Sequence, residues 1–293
     1  MPGYDAVAER VRQARINRET APNRAFYEGH RNQLHRLVVA AGRHDRERLC
    51  VLGAGNCNDL RLPELATRFA LVTLVDLDGD ALARALASEG MTHVAGIRTV
   101  ADVDLSGMSA VLAGLIEPAA ERGGRAANHE LPPPELGQAR YDVVLSTCMF
   151  TQIVDAAVAI LGPDHPQLLA TVLALRARHL AVMKSLLVAG GRGIFACDVV
   201  SSDTCPDLLA VGGDDLSPLV ARSIREGNFF TGTNPAAIRR ALASDPELDV
   251  SELDGAGPWL WQVDGRRAYA VHATCFRKRE TAPVADRPDR QWA

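Results

Sequence analysis

Residues 49–59 read Leu-Cys-Val-Leu-Gly-Ala-Gly-Asn-Cys-Asn-Asp, a short apolar run that breaks into a Gly-x-Gly turn. Glycine has no Cβ, so backbone at such a turn comes close to a ligand, and the helix start behind it offers free N–H groups. A second apolar run, Leu71-Val72-Thr73-Leu74-Val75, closes on Asp76. A carboxylate about 20 residues beyond a glycine turn is placed to accept hydrogen bonds from a ribose. The chemistry these residues suit is the holding of an adenosine-bearing ligand.

The elements that must position them alternate. Apolar runs at 49–53, 71–76, within 97–104, at 141–146 and at 193–200 are separated by helical patterns, the rhythm of an α/β protein with a parallel sheet covered on both faces. Helices are expected near 59–68, over 79–88, from Gln152, over 166–188 with a stop at Gly190-Gly191, and after Asn234-Pro235. In the 166–188 helix, Leu169, Val172, Leu173, Leu180 and Leu187 supply the apolar positions. The stretch 201–232 reads as turn-rich, and Glu121-Arg122-Gly123-Gly124 with Pro132-Pro133-Pro134 marks a long connection. Trp259–Val263 and Ala268–Phe276 flank Asp264-Gly265 as two strands of a hairpin, so the sheet ends with an antiparallel strand. Before the core, residues 1–48 form an amphipathic helical appendage, with Val7, Val11 and Ala14 on one face and Leu34, Leu37, Val38 and Ala41 on another, separated at Pro22-Asn23. The division is then 1–48 (lid or acceptor region), 49–276 (core) and 277–293 (flexible tail).

Composition narrows the class. With 293 residues, 47% hydrophobic side chains and a net charge of -4, the chain has enough apolar material for one sizeable core. No run approaches the roughly 18 apolar residues of a membrane span, and a cytoplasmic location is expected. The six cysteines show no C-x-x-C spacing, so they read as small buried residues and not as a zinc site or disulfide framework. Residues 1–48 hold ten Arg against six acids, too scattered for a nucleic-acid arm.

A nicotinamide-binding site would want G-x-G-x-x-G, and Asn58 stands at the third position. The glycine turn, Asp76, the pair Asp104-Leu105 closing the third strand and the terminal hairpin instead resemble the class I S-adenosylmethionine-dependent methyltransferases over residues 49–276. The resemblance implies a Rossmann-like seven-stranded sheet with an antiparallel last strand, and S-adenosyl-L-methionine as cofactor. It implies that Gly53, Ala54, Gly55 and Asn58 approach the cofactor and that Asp76 and Leu77 serve the ribose and adenine. Asp104 and Leu105 would then lie beside the adenine, and Ser146, Thr147 and Cys148 would face cofactor and acceptor together. Val51 stands where the family often has an acid, and Cys57 where it has a third glycine.

The resemblance also implies an acceptor pocket built from the appendage, the loop after the fourth strand and the segment after the fifth. Those supply Phe26, Tyr27, Glu28 and His30; Met149, Phe150 and Gln152; and Asp198, Asn228, Phe229 and Phe230. Tyr27, Glu28 and His30 are the candidate bases, needed where the acceptor must lose a proton. Ser146-Thr147-Cys148-Met149 replaces the Asn/Asp-Pro-Pro-Tyr of nucleic-acid and amide methylators, and no carboxylate cluster suggests a metal. The expectation is metal-free, in-line methyl transfer to a small aromatic or peptide-like metabolite, with no nucleic-acid or membrane partner. Indole carbon methylation of a tryptophan-containing cyclic dipeptide and O- or N-methylation all stay open, and the N-terminal helices could serve a homodimer as well as a lid. The alternatives are an NAD-dependent oxidoreductase and a non-catalytic adenosine-binding protein.

Overall fold

A computed structural model describes residues 4–116 and 133–280. In chain order these form α1 (Ala6–Thr20), a 3-10 turn (Ala21–Ala25), α2 (Glu28–Ala41), β1 (Arg48–Leu52), α3 (Leu62–Arg68), β2 (Leu71–Val75), α4 (Gly79–Ser88), β3 (Ile97–Val100) and α5 (Met108–Ile116). They continue with β4 (Tyr141–Thr147), α6 (Phe150–Leu161), α7 (Leu168–Leu186), β5 (Leu187–Ser201), α8 (Gly213–Arg225), α9 (Pro235–Ala243), β6 (Leu248–Gln262) and β7 (Ala268–Lys278). The sheet has seven strands in the order β3-β2-β1-β4-β5-β7-β6. The first five are mutually parallel, and β7 runs antiparallel to both β5 and β6, as the terminal hairpin indicated.

The central strands are apolar throughout because both faces are covered. Successive residues of β1 alternate between two cores: Leu49 and Val51 pack with α2, α3 and α4, while Cys50 and Leu52 pack with α5, α6, α7 and α9. A third cluster lies under α8, against Val199, Val200 and Ala270. Local signals start the helices: Asp78 caps α4 by accepting from the Ala81 amide, and Asn234 caps α9 ahead of Pro235.

Several expected boundaries move. α7 ends at Leu186, four residues before the glycine pair, because Leu187 already pairs with Tyr141 in the sheet and Gly190-Gly191 belong to β5. Its buried face is Thr171, Val172, Leu175, His179, Leu180, Val182, Met183 and Leu186, so Val172 and Leu180 are buried as expected while Leu169 and Leu173 are exposed. The turn-rich stretch contains α8, an amphipathic helix that Gly212, Gly213 and Pro218 disguise in the sequence. α2 buries Leu34 and Val38 as expected, but α1 buries no residue, and Val7 and Val11 are 73% and 63% exposed. The 121–124 turn and residues 281–293 of the tail lie outside the described residues, whereas 277–278 complete β7.

Gly193 pairs with Phe276 across β5 and β7, and a Cβ there would lie 2.2 Å from the Phe276 ring. Gly193→Ala should therefore overpack this junction and cost about 1–3 kcal/mol. A urea unfolding midpoint unchanged from the parent protein would contradict that packing.

Candidate functional site

A cleft of about 630 Å³, part of it open to solvent, lies at the C-terminal ends of the strands where the sheet order reverses between β1 and β4. Its floor is built by backbone. The amides of Gly53 and Ala54 both donate to Val75 O at 3.0 and 3.1 Å, tying the end of β1 to the end of β2. Gly53 and Gly55 have φ of 74° and 47°, and a Cβ on Gly53 would sit 2.7 Å from Met149 Cβ, so glycine is required there.

Asp76 is the polar centre of this floor. Its Oδ2 accepts from the Gly55 amide at 2.7 Å and its Oδ1 from the Asp78 amide at 2.8 Å. Burial raises its pKa above the ordinary carboxylate value, and these amide bonds oppose the rise. Each oxygen retains a lone pair, enough to accept two further hydroxyl donors. Leu77, Val103, Asp104, Leu105 and Ser106 continue the wall from β2 and the loop after β3. Asp104 Oδ1 takes both the amide and the hydroxyl of Ser106, at 2.8 and 2.5 Å. From the other side come Met149, Gln152, Ile153 and Ala156, on α6 and the residue before it.

The fourth wall is one that the sequence reading missed. Tyr4, Glu9, Gln13 and Asn17 line the cleft, the last three at four-residue spacing on a single face of α1. Asn17 donates to Asp78 Oδ2 at 3.0 Å, and Arg12 donates to Gln152 O at 3.1 Å. Glu9, Gln13 and Asn17 were a legible polar stripe, hidden because Val7 and Val11 share the same spacing and drew the apolar reading.

Of the residues expected near a cofactor, Gly53, Gly55, Asp76, Leu77, Asp104 and Leu105 line the cleft. Ala54, Asn58, Ser146, Thr147 and Cys148 stand behind it, all buried. Thr147 Oγ1 donates to Gly53 O at 2.6 Å, Ser146 Oγ is 2.9 Å from His179 Nε2, and Asn58 Nδ2 donates to Thr20 O. Cys148 has φ 46° and its amide donates to Ala196 O, with burial pushing the thiol pKa up.

Of the expected acceptor-side residues, Met149 and Gln152 line the cleft, while Phe150 is fully buried in the core beneath it. Asp198 is buried and accepts from Thr151 Oγ1 at 2.9 Å. Phe229 and Phe230 are partly exposed, with Phe230 6.1 Å from Tyr269 between ring centres, and Asn228 donates to Thr204 O.

The four appendage residues are not brought to the cleft. Phe26 is 45% exposed, Glu28 is exposed at the start of α2, and Tyr27 is buried edge-on to Trp261. His30 is fully enclosed: its Nδ1 accepts from Trp259 Nε1 at 2.9 Å and its ring stacks on Trp261 at 4.6 Å. That bond places the neutral ring's hydrogen on Nε2, which faces Asp59 Oδ1 at 3.5 Å. Burial lowers the His30 pKa to about 3, so the ring is a docking element of α2 and a poor base, a correction to the expected role.

Comparison with known proteins agrees with this architecture. No family model and no curated protein matches the sequence. A chain from the complex of the Haloferax volcanii Trm112 methyltransferase activator with a candidate methyltransferase is 12% identical, covers 91% of this chain and 97% of its own, and has a TM-score of 0.50. The N-methyltransferase NodS of Bradyrhizobium japonicum bound to S-adenosyl-L-homocysteine is 13% identical, over 87% of this chain and 88% of its own, with a TM-score of 0.42. Magnesium protoporphyrin IX methyltransferase of Synechocystis with bound S-adenosylhomocysteine is 15% identical, over 85% and 84%, with a TM-score of 0.43. The fold of this chain is the class I methyltransferase fold. Among the described residues no group of three or more His, Cys, Asp or Glu stands together to hold a metal, and no helix is long and apolar enough to cross a membrane.

Burial holds the Asp198 pKa up to about 7, against the opposing hydrogen bond from Thr151. A carboxyl whose folded pKa exceeds its unfolded value stabilises the protein below the unfolded pKa, and that contribution is lost as pH rises through the folded one. Between about pH 4 and pH 7 the Asp198 carboxyl therefore makes stability fall. Asp198→Asn, which cannot ionise, should gain Tm relative to the parent at pH 8 by more than at pH 4.5. Equal differences at the two pH values would show that Asp198 ionises normally.

Proposed function

We propose that this protein is an S-adenosyl-L-methionine-dependent methyltransferase acting on a small-molecule acceptor. The observation that carries the reading is the Asp76 carboxylate, fixed by the Gly55 and Asp78 amides at the floor of a cleft where Gly53 and Gly55 both take left-handed φ and Gly53 has no room for a Cβ. Such a group suits vicinal hydroxyls, and the Asp104–Leu105 wall beside it suits an adenine, a carboxylate for the exocyclic amine and an amide for a ring nitrogen. The methyltransferase fold supports the same reading. Cys57, the departure that suggested a silent site, still takes the left-handed conformation of a glycine, with φ 54°.

S-adenosylmethionine supplies an electrophilic methyl on a positively charged sulfur. The protein's tasks are to hold, align and exclude water, since transfer needs an in-line approach more than covalent help. Asp76 and the glycine turn would hold the nucleoside, Asp104 and Leu105 would orient the base, and the polar face of α1 would cover it. Met149 and Gln152 stand at the junction with the acceptor side. In the segment after β5, the partly exposed Phe229 and Phe230 favour a flat or apolar small molecule, in line with an aromatic or peptide-like metabolite. Where the acceptor must release a proton, we propose Asp198 as the group to take it: a carboxyl buried behind the cleft lining, bonded to Thr151 in the first turn of α6, whose pKa burial raises to about 7.

Calorimetric titration with S-adenosylmethionine, S-adenosylhomocysteine and NAD in parallel tests the cofactor. Micromolar binding of the two sulfur nucleotides is expected, and binding of NAD alone would replace the proposal with an oxidoreductase. Asp76→Ala should weaken S-adenosylhomocysteine binding by about 10- to 100-fold, the scale of hydrogen bonds to a charged group. An unchanged dissociation constant in the folded variant removes Asp76 from the site.

A further inference from the structure

Cys57 turns the chain at the end of the glycine loop with a left-handed backbone, φ 54°. Residues with a Cβ avoid this region because the Cβ crowds the carbonyl oxygen, and cysteine lacks the short amide or carboxylate that lets Asn and Asp tolerate it. The loop's own turn bonds, the Cys57 amide to Ala54 O at 2.7 Å and the Leu60 amide to Cys57 O at 3.1 Å, are reinforced by side chains from outside it. Arg24 Nη1 donates to Cys57 O at 3.0 Å and Nη2 to Leu60 O at 3.4 Å, while Glu89 at the end of α4 fixes the same guanidinium at 2.6 Å. Arg31 Nη1 donates to Asn58 O at 2.6 Å and to Arg24 O at 3.1 Å.

Arg31 is unusual on its own account. It is 9% exposed, and no carboxylate among the described residues lies within salt-bridge distance of it. Burying a guanidinium without a direct ion pair is costly, and burial lowers its pKa while the nearby Glu28 and Asp59 oppose the fall. Its donors go to backbone carbonyls of the loop and of the turn that carries Arg24. On the other side of the loop, Asn56 and Asn58 donate to Asn17 O and Thr20 O, so residues 56–60 are gripped from both sides by the N-terminal segment.

We infer that Arg24 and Arg31 are positioning residues which hold residues 57–60 in place, with Cys57 in the left-handed conformation that a glycine would adopt unaided. They thereby aim the Gly55 amide at Asp76. The consequence for cofactor binding rests on the function proposed above, but the turn itself can be probed in the ligand-free protein.

The test pairs Arg24→Ala with Cys57→Gly, since glycine enters this region without help. In the ligand-free protein, amide hydrogen exchange over residues 54–60 should speed up about 10-fold in Arg24→Ala while the β1 and β4 amides stay as protected as in the parent. Adding Cys57→Gly should return the exchange toward the parent rate, which a merely structural loss would not allow. Affinity for S-adenosylhomocysteine should follow the same order, falling about 10-fold in Arg24→Ala and recovering in the double variant. Arg31→Lys, which keeps the charge but not the forked donor, should loosen the same amides. Unchanged loop exchange in Arg24→Ala, or a double variant no better than the single one, overturns the inference. If the exchange pattern appears but no protein binds S-adenosylhomocysteine, the arginine latch stands and the cofactor reading falls.

Discussion

The cleft depends on one junction, where the ends of β1 and β2 are tied through Val75 and Asp76. Two parallel strands in register, Leu52 opposite Val75, must release their chains at the same level of the sheet. Val75 O then takes the Gly53 and Ala54 amides, and the next side chain, Asp76, takes the Gly55 and Asp78 amides. Buried backbone donors need partners, and a buried carboxylate needs donors, so each satisfies the other. The arrangement fixes the glycine turn against β2 and starts α4 from the same residues, with Asp78 serving as both an amide donor and the helix cap.

Around that junction the N-terminal segment divides into two parts with different physics. α2 is a buttress: Leu34 and Val38 are buried, and His30 and Arg31 reach residues 58 and 59 of the loop. α1 is a cover held by polar contacts: Asn17 to Asp78, Arg12 to Gln152 O, the Asn17 and Thr20 carbonyls that accept from the Asn56 and Asn58 side chains of the loop, and an exposed Arg10–Asp102 pair. Surface ion pairs contribute about 0–1 kcal/mol, and an element that buries no side chain opens at the low end of a protein's range of local stabilities. α1 is thereby the part of the N-terminal segment with least burial behind it, while α2 is anchored in the core and α1's last turn shares in holding the loop.

What could be read from the chain follows the same division. The strands, Gly53, Gly55 and Asp76 were legible because their chemistry is tied to backbone geometry: an apolar run buried on both faces, a turn with no room for a Cβ, a carboxylate at a strand end. The terminal hairpin was legible from Asp264-Gly265 between two apolar runs, and β7 does run antiparallel. His30 was not, since a histidine among aromatic residues reads alike for catalysis and for packing. Trp259, 229 residues away, decides the matter by donating to its Nδ1. Arg31 and Arg24 gave no signal at all, because their partners are carbonyls, which every residue has.

Magnitudes then separate the acid–base candidates that remain. A ring whose pKa is about 3 holds a proton at pH 7 only at a cost of about 5 kcal/mol, from four units at 1.36 kcal/mol each. His30 would have to recover that cost elsewhere, and it lies away from the cleft with both nitrogens facing protein groups. Asp59 shares the near-neutral pKa of about 7, but Arg31 and Arg24 act on it and it faces His30. Asp198 holds the same value with no arginine among its leading influences, on the strand next to β4 and bonded to the first turn of α6. In the proposed reaction a proton taken up there costs little at neutral pH. Asp198 is itself buried behind the cleft lining, so it is the near-neutral pKa alone that favours it over His30 as proton acceptor in the proposed reaction.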